Sequence, residues 1–341
     1  MESSLSRRKF IRDTGIIFTG LALPGSGLAL NTTLMQKETR YDVIIVGGSY
    51  AGLSAALSLG RALRKVLVID SGKPCNRQTP HSHNFLTHDG EPPLAIADKA
   101  RKEVEAYPTI SFLEGKAQHA VKTAEGFRVE VSSGTFFYAK KLLFATGVKD
   151  LLPGIPGYAA SWGISVLHCP YCHGYEVRHQ PTAILADGDH LAFEKAKMIA
   201  HWTKELVFLT NGNSIENILS EAQREQLIAN RIEVIEKSIK AIVENEGYVH
   251  HVAFTDGSSH PLKAIYARPA FEQHSIIPQE LGCMMTESGH IQTDDFRRTT
   301  IAGVYAAGDN TTVFRSVAGA VAAGSAAGAF INKELIDEAF Q

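Results

Sequence analysis

The chain has 341 residues and a mass of 37.0 kDa, room for about two domains; with 44% hydrophobic and 21% charged residues it can fill a core, which excludes disorder as its main state. Lys and Arg total 34 against 36 Asp and Glu, a net charge of -2 that offers no basic excess for phosphates and argues against nucleic acid as a partner. Four cysteines are too few for a disulfide scaffold, so the close pair Cys169 and Cys172 points to redox or metal chemistry.

The first residues read as an address rather than as fold. Ser6-Arg7-Arg8-Lys9-Phe10-Ile11-Arg12 resembles a twin-arginine export motif, and Thr14 to Leu30 is apolar but interrupted by Gly, Thr and Pro24. That stretch is short and weak for a spanning helix, so no stable membrane span is expected. The expected location is periplasmic or exported, with a helical or disordered extension on a cytoplasmic protein as the alternative. No A-x-A site marks the mature start.

The body opens with Tyr41 to Val46, a β-branched run with the length of a buried parallel strand, followed by Gly47-Gly48-Ser49-Tyr50-Ala51-Gly52. A helix is expected from Ala51 to Leu63, and a second strand from Lys65 to Ile69 ending at Asp70. Small residues at such a turn let backbone N–H groups approach a pyrophosphate at a helix N-terminus, while an acid about 20 residues on receives a ribose hydroxyl. Gly47, Gly48, Ser49, Ala51, Gly52 and Asp70 are therefore candidate dinucleotide contacts, with Ser49 standing where the usual motif has a glycine.

Two later segments are strands ending in small-residue turns. Leu142 to Gly147 reads LLFATG, and Gly303 to Asp309 reads GVYAAGD. Together with the first turn they resemble the flavoprotein pyridine nucleotide disulfide oxidoreductases. That resemblance implies FAD as cofactor, with Thr146, Gly147 and Gly308 near it and Asp309 on its ribityl and phosphate groups.

Between them lies His168-Cys169-Pro170-Tyr171-Cys172-His173-Gly174. A zinc site would need further ligands at recognisable spacing, and a thioredoxin-like domain would place the motif after the first strand of a small fold. The third reading is a dithiol coupled to flavin. Over residues 41 to about 335 the arrangement resembles the low-molecular-weight thioredoxin reductases. By that resemblance Cys172 faces the flavin, Cys169 exchanges with substrate, and His173 takes the place of the acidic proton donor. The CxxCHG form, with Arg77, His83 and Asn84 after Asp70, looks closer to the gliotoxin-type dithiol oxidase branch. These three are carried as cofactor-side candidates, although His81, His83 and His88 also read as plain loop residues.

The strand Thr182 to Leu185 leads to Ala186-Asp187-Gly188-Asp189-His190-Leu191, with a helix expected near His190. Ala replaces the first glycine of a nucleotide fingerprint, Leu the last, and Asp187 would face an anionic pyrophosphate. The strand Glu205 to Thr210 ends in Asn211-Gly212-Asn213, where NADPH-dependent members carry an Arg cluster; the next Arg is Arg224. NAD(P)H binding is expected to be weak, the alternative being recognition through backbone alone.

Phe127 to Val131 and the segment near Phe136 to Tyr138 read as a hairpin across Ser132-Ser133-Gly134. Regular patterning lapses from Arg268 to Ser275. Cys283 reads as a buried sulfur and Cys75 as a loop thiol. Arg315-Ser316-Val317, ahead of a small-residue helix from Ala318 to Ile331, resembles the flavin-contacting segment, which adds Ser316 and Val317 to the cofactor set.

The expected fold is α/β, with two Rossmann-like nucleotide-binding-type domains, the second inserted into the first. The boundaries are 1–39 signal and linker, 40–155 and 275–341 FAD domain, and 156–274 inserted domain carrying the CxxC. The expected activity is FAD-dependent thiol/disulfide exchange through Cys169 and Cys172, read as a dithiol oxidase. An NAD(P)H-dependent thioredoxin-disulfide reductase and a nonenzymatic flavin-binding redox sensor are the alternatives. Partners would be a small dithiol or disulfide or a thioredoxin-like protein, and resemblance implies a homodimer; no metal site is expected.

Overall fold

A computed structural model describes residues 39–187, 189 and 191–341; the twin-arginine segment lies outside the described residues. The chain begins with β1 (Arg40–Val46), α1 (Tyr50–Arg61), β2 (Val66–Asp70) and α2 (Pro93–Glu105). It continues through β3 (Ile110–Glu114), β4 (Ala117–Thr123), β5 (Gly126–Val131), β6 (Phe136–Phe144) and β7 (Val148–Leu151). The middle holds α3 (Tyr158–Ser161), β8 (Val166–Leu167), α4 (Pro170–His173), β9 (Thr182–Leu185), α5 (Ala192–Ile199), β10 (Leu206–Leu209), α6 (Glu221–Ala229) and β11 (Glu233–Ile235). Then come β12 (Ile239–Asn245), β13 (Tyr248–Phe254), β14 (Ser259–Pro261), β15 (Ala264–Ala267), β16 (Ala270–Gln273), α7 (Ile277–Glu280), β17 (Val304–Ala306) and α8 (Val317–Ala339).

The first sheet runs β3-β2-β1-β6-β5-β4, with β17 also on β6. Its β3, β2, β1, β6 and β17 are mutually parallel, and their apolar runs Ile44–Ile45, Val66–Val68 and Leu142–Phe144 are buried, as strands covered on both faces require. One face packs on α1 and α8, the other on β4, β5 and Ile277. The α1–α8 contact is close because α8 presents glycine: a Cβ on Gly324 would lie 2.0 Å from the Ala51 carbonyl oxygen. The second sheet, β11-β10-β9-β15-β8, is parallel throughout. The strands β12-β13-β14 form an antiparallel meander, and β7 pairs antiparallel with β16.

Three expectations need correction. The segments near Phe136 and at Leu142 are one strand. Phe136–Ala139 of β6 pairs with β5 and Leu142–Phe144 with β17, because Lys141 between them is buried and paired with Glu334 and Glu338 of α8. Secondly, the irregular stretch after Arg268 contains β16, whose partner β7 lies more than a hundred residues earlier. Thirdly, α1 stops at Arg61 and Leu63 turns left-handed (φ 60°), while α8 runs on to Ala339. No helix among the described residues is long and apolar enough to cross a membrane.

Candidate functional site

The turn after β1 is built around glycines that have no substitute. Gly47 adopts φ 105° and a Cβ there would lie 2.3 Å from the Ala145 carbonyl oxygen; one on Gly52 would lie 1.9 Å from the Gly47 carbonyl oxygen. This packing brings the start of α1 against the ends of β1 and β6. Ser49, at the N-cap, makes no side-chain cap bond, so the first amides of a 12-residue helix stay available to an anion. Gly48 donates its amide to Asp70 Oδ1 at 3.0 Å and Gly72 donates to Oδ2 at 3.2 Å, which fixes the carboxylate beside the turn with lone pairs to spare.

The carboxyl ends of β6 and β17 complete the cradle. Asn310 donates Nδ2 to the Phe144 carbonyl at 2.9 Å and lies 3.5 Å from Thr146 Oγ1. Gly147 has φ 62° and open space where a Cβ would be, and Gly308 has φ 96°, with a Cβ position 3.0 Å from the Ala51 Cβ. Gly47, Gly48, Ser49, Ala51, Gly52, Asp70, Thr146, Gly147, Gly308 and Asp309 thus gather at adjacent strand ends. Ser316 caps α8 by accepting from the Gly319 amide at 3.0 Å, with Val317 opening the helix.

Asp309 is held nearby without being satisfied. Burial raises its pKa to about 6, against the lowering influence of Arg315, whose Nε is 3.8 Å away. Arg315 spends its fork on Asp150 at 2.8 and 2.9 Å, a bidentate geometry. A desolvated carboxyl short of donors suits polyol hydroxyls, and together with the open helix amides this cradle fits FAD. Cys75, a solvent-exposed thiol, faces the same charges.

Arg77, Asn84 and His83 occupy the loop between β2 and α2. Arg77 Nη1 donates to the Pro74 carbonyl at 3.1 Å, and left-handed Asn84 (φ 60°) donates its amide to Asp89 at 2.7 Å. His83 Nε2 lies 3.6 Å from Glu176 and its Nδ1 3.6 Å from Asp89, so it approaches the segment that follows the CxxC. His81 Nδ1 and His88 Nδ1 meet the Gly90 carbonyl oxygen and Glu91 at 2.9 and 3.2 Å.

Cys169 caps α4, whose single turn carries Cys172 back over it. The Cα atoms are 5.3 Å apart and the two sulfurs form a disulfide. Both residues are half-buried. Gly174 allows the turn to seat, since a Cβ there would fall 2.5 Å from the Pro170 carbonyl oxygen and 3.0 Å from Trp202, on whose ring Tyr171 packs edge-on. Burial, then the neighbouring His83, lowers the His173 pKa to about 4. His173 is therefore neutral at pH 7, and a thiolate generated beside it would favour its protonated form. His168 is lowered to about 3 by burial and by Lys195 and Arg315. Among the described residues no group of three or more His, Cys, Asp or Glu is arranged for a metal ion.

Two carboxylates after β9 are engaged within the protein. Asp187, left-handed at φ 40°, accepts from Asn211 Nδ2 at 3.0 Å, and Asn211 Oδ1 in turn accepts from the Ile239 amide at 2.9 Å. Asp189 Oδ1 accepts from the Leu191 amide at 2.9 Å and lies 3.7 Å from Arg268. Carboxylates thus stand where a dinucleotide would bring its own negative phosphates, and like charges repel there. Asp150, Lys195 and Arg268 are site-lining residues that motif reading missed; each is defined by a partner distant in sequence.

The profile of the pyridine nucleotide-disulphide oxidoreductase family matches residues 41–324. The thioredoxin reductase tcpT of Claviceps purpurea is 31% identical over 311 residues, covering 89% of this chain and 96% of that protein. The thioredoxin reductase sirT of Leptosphaeria maculans is 30% identical over 307 residues, covering 86% and 93%. Among solved structures, a putative thioredoxin reductase TrxB from Bacillus anthracis superposes with a TM-score of 0.83 at 32% identity, covering 88% of this chain and 99% of that one.

Proposed function

The chain belongs to the pyridine nucleotide-disulphide oxidoreductase family, in which FAD is used with NAD(P)H and the chemistry is at sulfur, and from that premise we propose that this member is a dithiol oxidase taking its electrons from thiols. A substrate thiolate attacks Cys169 Sγ, the Cys169–Cys172 bond breaks, and Cys172 departs as a thiolate. The second substrate thiol, deprotonated, attacks the substrate sulfur of the mixed disulfide. Substrate leaves as a disulfide, Cys169 is released as a thiolate, and two electrons now reside on the cysteine pair. His173, neutral and half-buried next to Cys172, accepts one of the two protons, and solvent takes the other.

FAD would be held by the glycine turn, Asp70, Thr146, Gly147, Gly308, Asp309 and the start of α8, and when bound supplies a two-electron acceptor for the reduced cysteine pair. Oxygen or another acceptor outside the chain completes the cycle. The observation carrying the oxidase direction is the turn after β9, where Asp189 itself occupies the Leu191 amide.

Anaerobic titration of the flavin-loaded protein tests this reading. Bleaching at one equivalent of a small dithiol is expected, with little or none from NADPH or NADH. Fast stoichiometric bleaching by NADPH would restore the reductase reading that the relatives' names favour. We also read residues 1–39 as an export signal, on the Arg7–Arg8 pair with its flanking Ser6 and Phe10, and an exported enzyme would meet no cytoplasmic NADPH; a reporter fused after residue 40 should reach the periplasm only with Arg7 and Arg8 intact. The assembly is read as a homodimer, with light scattering near twice the 37.0 kDa chain mass as its check.

A further inference from the structure

In the second sheet the chain leaves β9 for β10 and β11 on one side and enters β15 on the other. The crevice at the carboxyl ends of β9 and β15 is thus a topological switch point, where open α/β sheets receive ligands. Asp189 follows β9, Arg268 follows β15, and His168 follows the neighbouring β8. Lys195 reaches in from α5 and donates Nζ to the His168 carbonyl at 2.9 Å. Two of its three hydrogens remain for another acceptor. His168 immediately precedes Cys169, so one residue step, about 3.8 Å between Cα atoms, separates that carbonyl's residue from the redox cysteine.

The charges of this crevice do not balance among the described residues. Asp189 Oδ1 already accepts from the Leu191 amide, and its contact with Arg268 is a loose 3.7 Å. Asp150 is committed to Arg315 by two hydrogen bonds. Among the described residues Lys195 makes no ion pair and Arg268 only that loose one, with Asp189 acting on Lys195 through space. Burial lowers Lys195 to about 8, with Arg268 and Arg315 adding to the fall and Asp189 opposing it. Lys195 is still mainly charged at pH 7, and a further anion beside it would be favourable.

We propose that Lys195 and Arg268 form a carboxylate-binding subsite in the β9–β15 crevice, so that the enzyme prefers small dithiols bearing a carboxylate and holds them by that group with their sulfurs at Cys169. This deepens the dithiol-oxidase reading and rests on it for the identity of the ligand. It also gives a use to a crevice whose nucleotide turn is closed. One Arg and one Lys converging on one carboxylate supply charge-assisted bonds, and the short path to Cys169 favours a compact substrate over a protein disulfide.

Lipoate and lipoamide differ only in carboxylate against neutral amide, and their reduced forms are dithiols. Calorimetric titration of each oxidised form into the flavin-loaded, oxidised protein at pH 7 reads the subsite without turnover. Lipoate is expected to bind at least tenfold more tightly, about 1.4 kcal/mol, with the preference falling below threefold in Arg268→Met and in Lys195→Met and retained in Lys195→Arg. Flavin content of each variant reports that it has folded. Equal affinity for the two ligands overturns the proposal. So does a preference that survives both methionine substitutions, or displacement of lipoate by NADP+ at comparable concentration. If lipoate is preferred but dihydrolipoate fails to bleach the flavin, the oxidase reading falls and the subsite stands. If dihydrolipoate and dihydrolipoamide bleach equally well and the oxidised forms bind equally, the oxidase reading stands and the subsite falls.

Discussion

Replacing Gly52 with alanine puts a methyl group where no space exists. Its Cβ would sit 1.9 Å from the Gly47 carbonyl oxygen and 2.9 Å from the carbonyl carbon, and both obstacles are backbone. To reach ordinary contact, α1 must withdraw by about 1.5 Å from the end of β1, an overpacking distortion that typically costs about 1–3 kcal/mol. For a domain of this size class such a loss lowers Tm by roughly 2–4 °C per kcal/mol, which leaves the protein folded. The functional effect is larger, because the same movement carries the α1 amides away from the glycine turn. A phosphate hydrogen bond near 2.9 Å, lengthened by about 1.5 Å, is no longer a bond. Gly52→Ala should therefore purify with a large loss of 450 nm absorbance relative to 280 nm and only a modest fall in Tm by scanning fluorimetry. Gly154→Ala, where a Cβ meets open space, should keep its flavin and serves as the control. Full flavin occupancy in Gly52→Ala would refute the placement of the dinucleotide at this turn.

Asp309→Ala should lower flavin content measured after gel filtration, since the carboxyl at the end of β17 is the acceptor offered to the ribityl and phosphate groups. Cys169→Ser and Cys172→Ser should both abolish dithiol turnover with flavin retained. Only Cys169→Ser should show a long-wavelength absorbance band from a free Cys172 thiolate beside oxidised flavin, and the reverse pattern would exchange the two roles. Acid should weaken the fold: His168 and His173 are lowered to about 3 and about 4, so their neutral forms support folding fully above pH 6.5, and that support drains away as pH falls toward these values. Between pH 6.5 and 4.5 the loss is on the order of 2–3 kcal/mol for each histidine. Asp309, raised to about 6, works in the opposite sense and offsets part of it between pH 6 and 4. Denaturant midpoints at pH 7 and 4.5 check the sign, and equal midpoints would contradict it.

The parts legible in the sequence are those with a short-range physical cause. Buried parallel strands must be apolar on both faces, so Tyr41–Val46 and Thr182–Leu185 announce themselves, and the turn between β1 and α1 shows its glycines because only glycine fits against Ala145 and Gly47. A CxxC reads as redox chemistry from spacing alone. What stayed hidden depends on partners far away. Lys140 and Lys141 look like a strand break until Glu334 and Glu338 arrive from α8 to neutralise Lys141. Nothing in VKDL or AFEQ signals a strand until β7 and β16 meet. Asp150 acquires meaning only beside Arg315, 165 residues on, and Lys195 only through the His168 carbonyl. His83 lies 3.6 Å from Glu176, a neighbour that loop composition does not encode.

Helix α8 behaves as a ruler with both ends clamped. Its 23 residues span about 34 Å at 1.5 Å per residue, from Ser316 beside the flavin cradle to Glu334 and Glu338 on buried Lys141, with Gly324 and Gly328 pressed on Ala51 and Ala55 between. One added residue in its middle would advance one half by about 1.5 Å and rotate it by about 100°. The glycines would then leave their carbonyls, or the glutamates would leave Lys141. Length variation in this helix is therefore quantised: insertions belong in the loop before Ser316 or beyond Ala339, and a single-residue indel within it would unseat the cofactor end by displacing the anchor end.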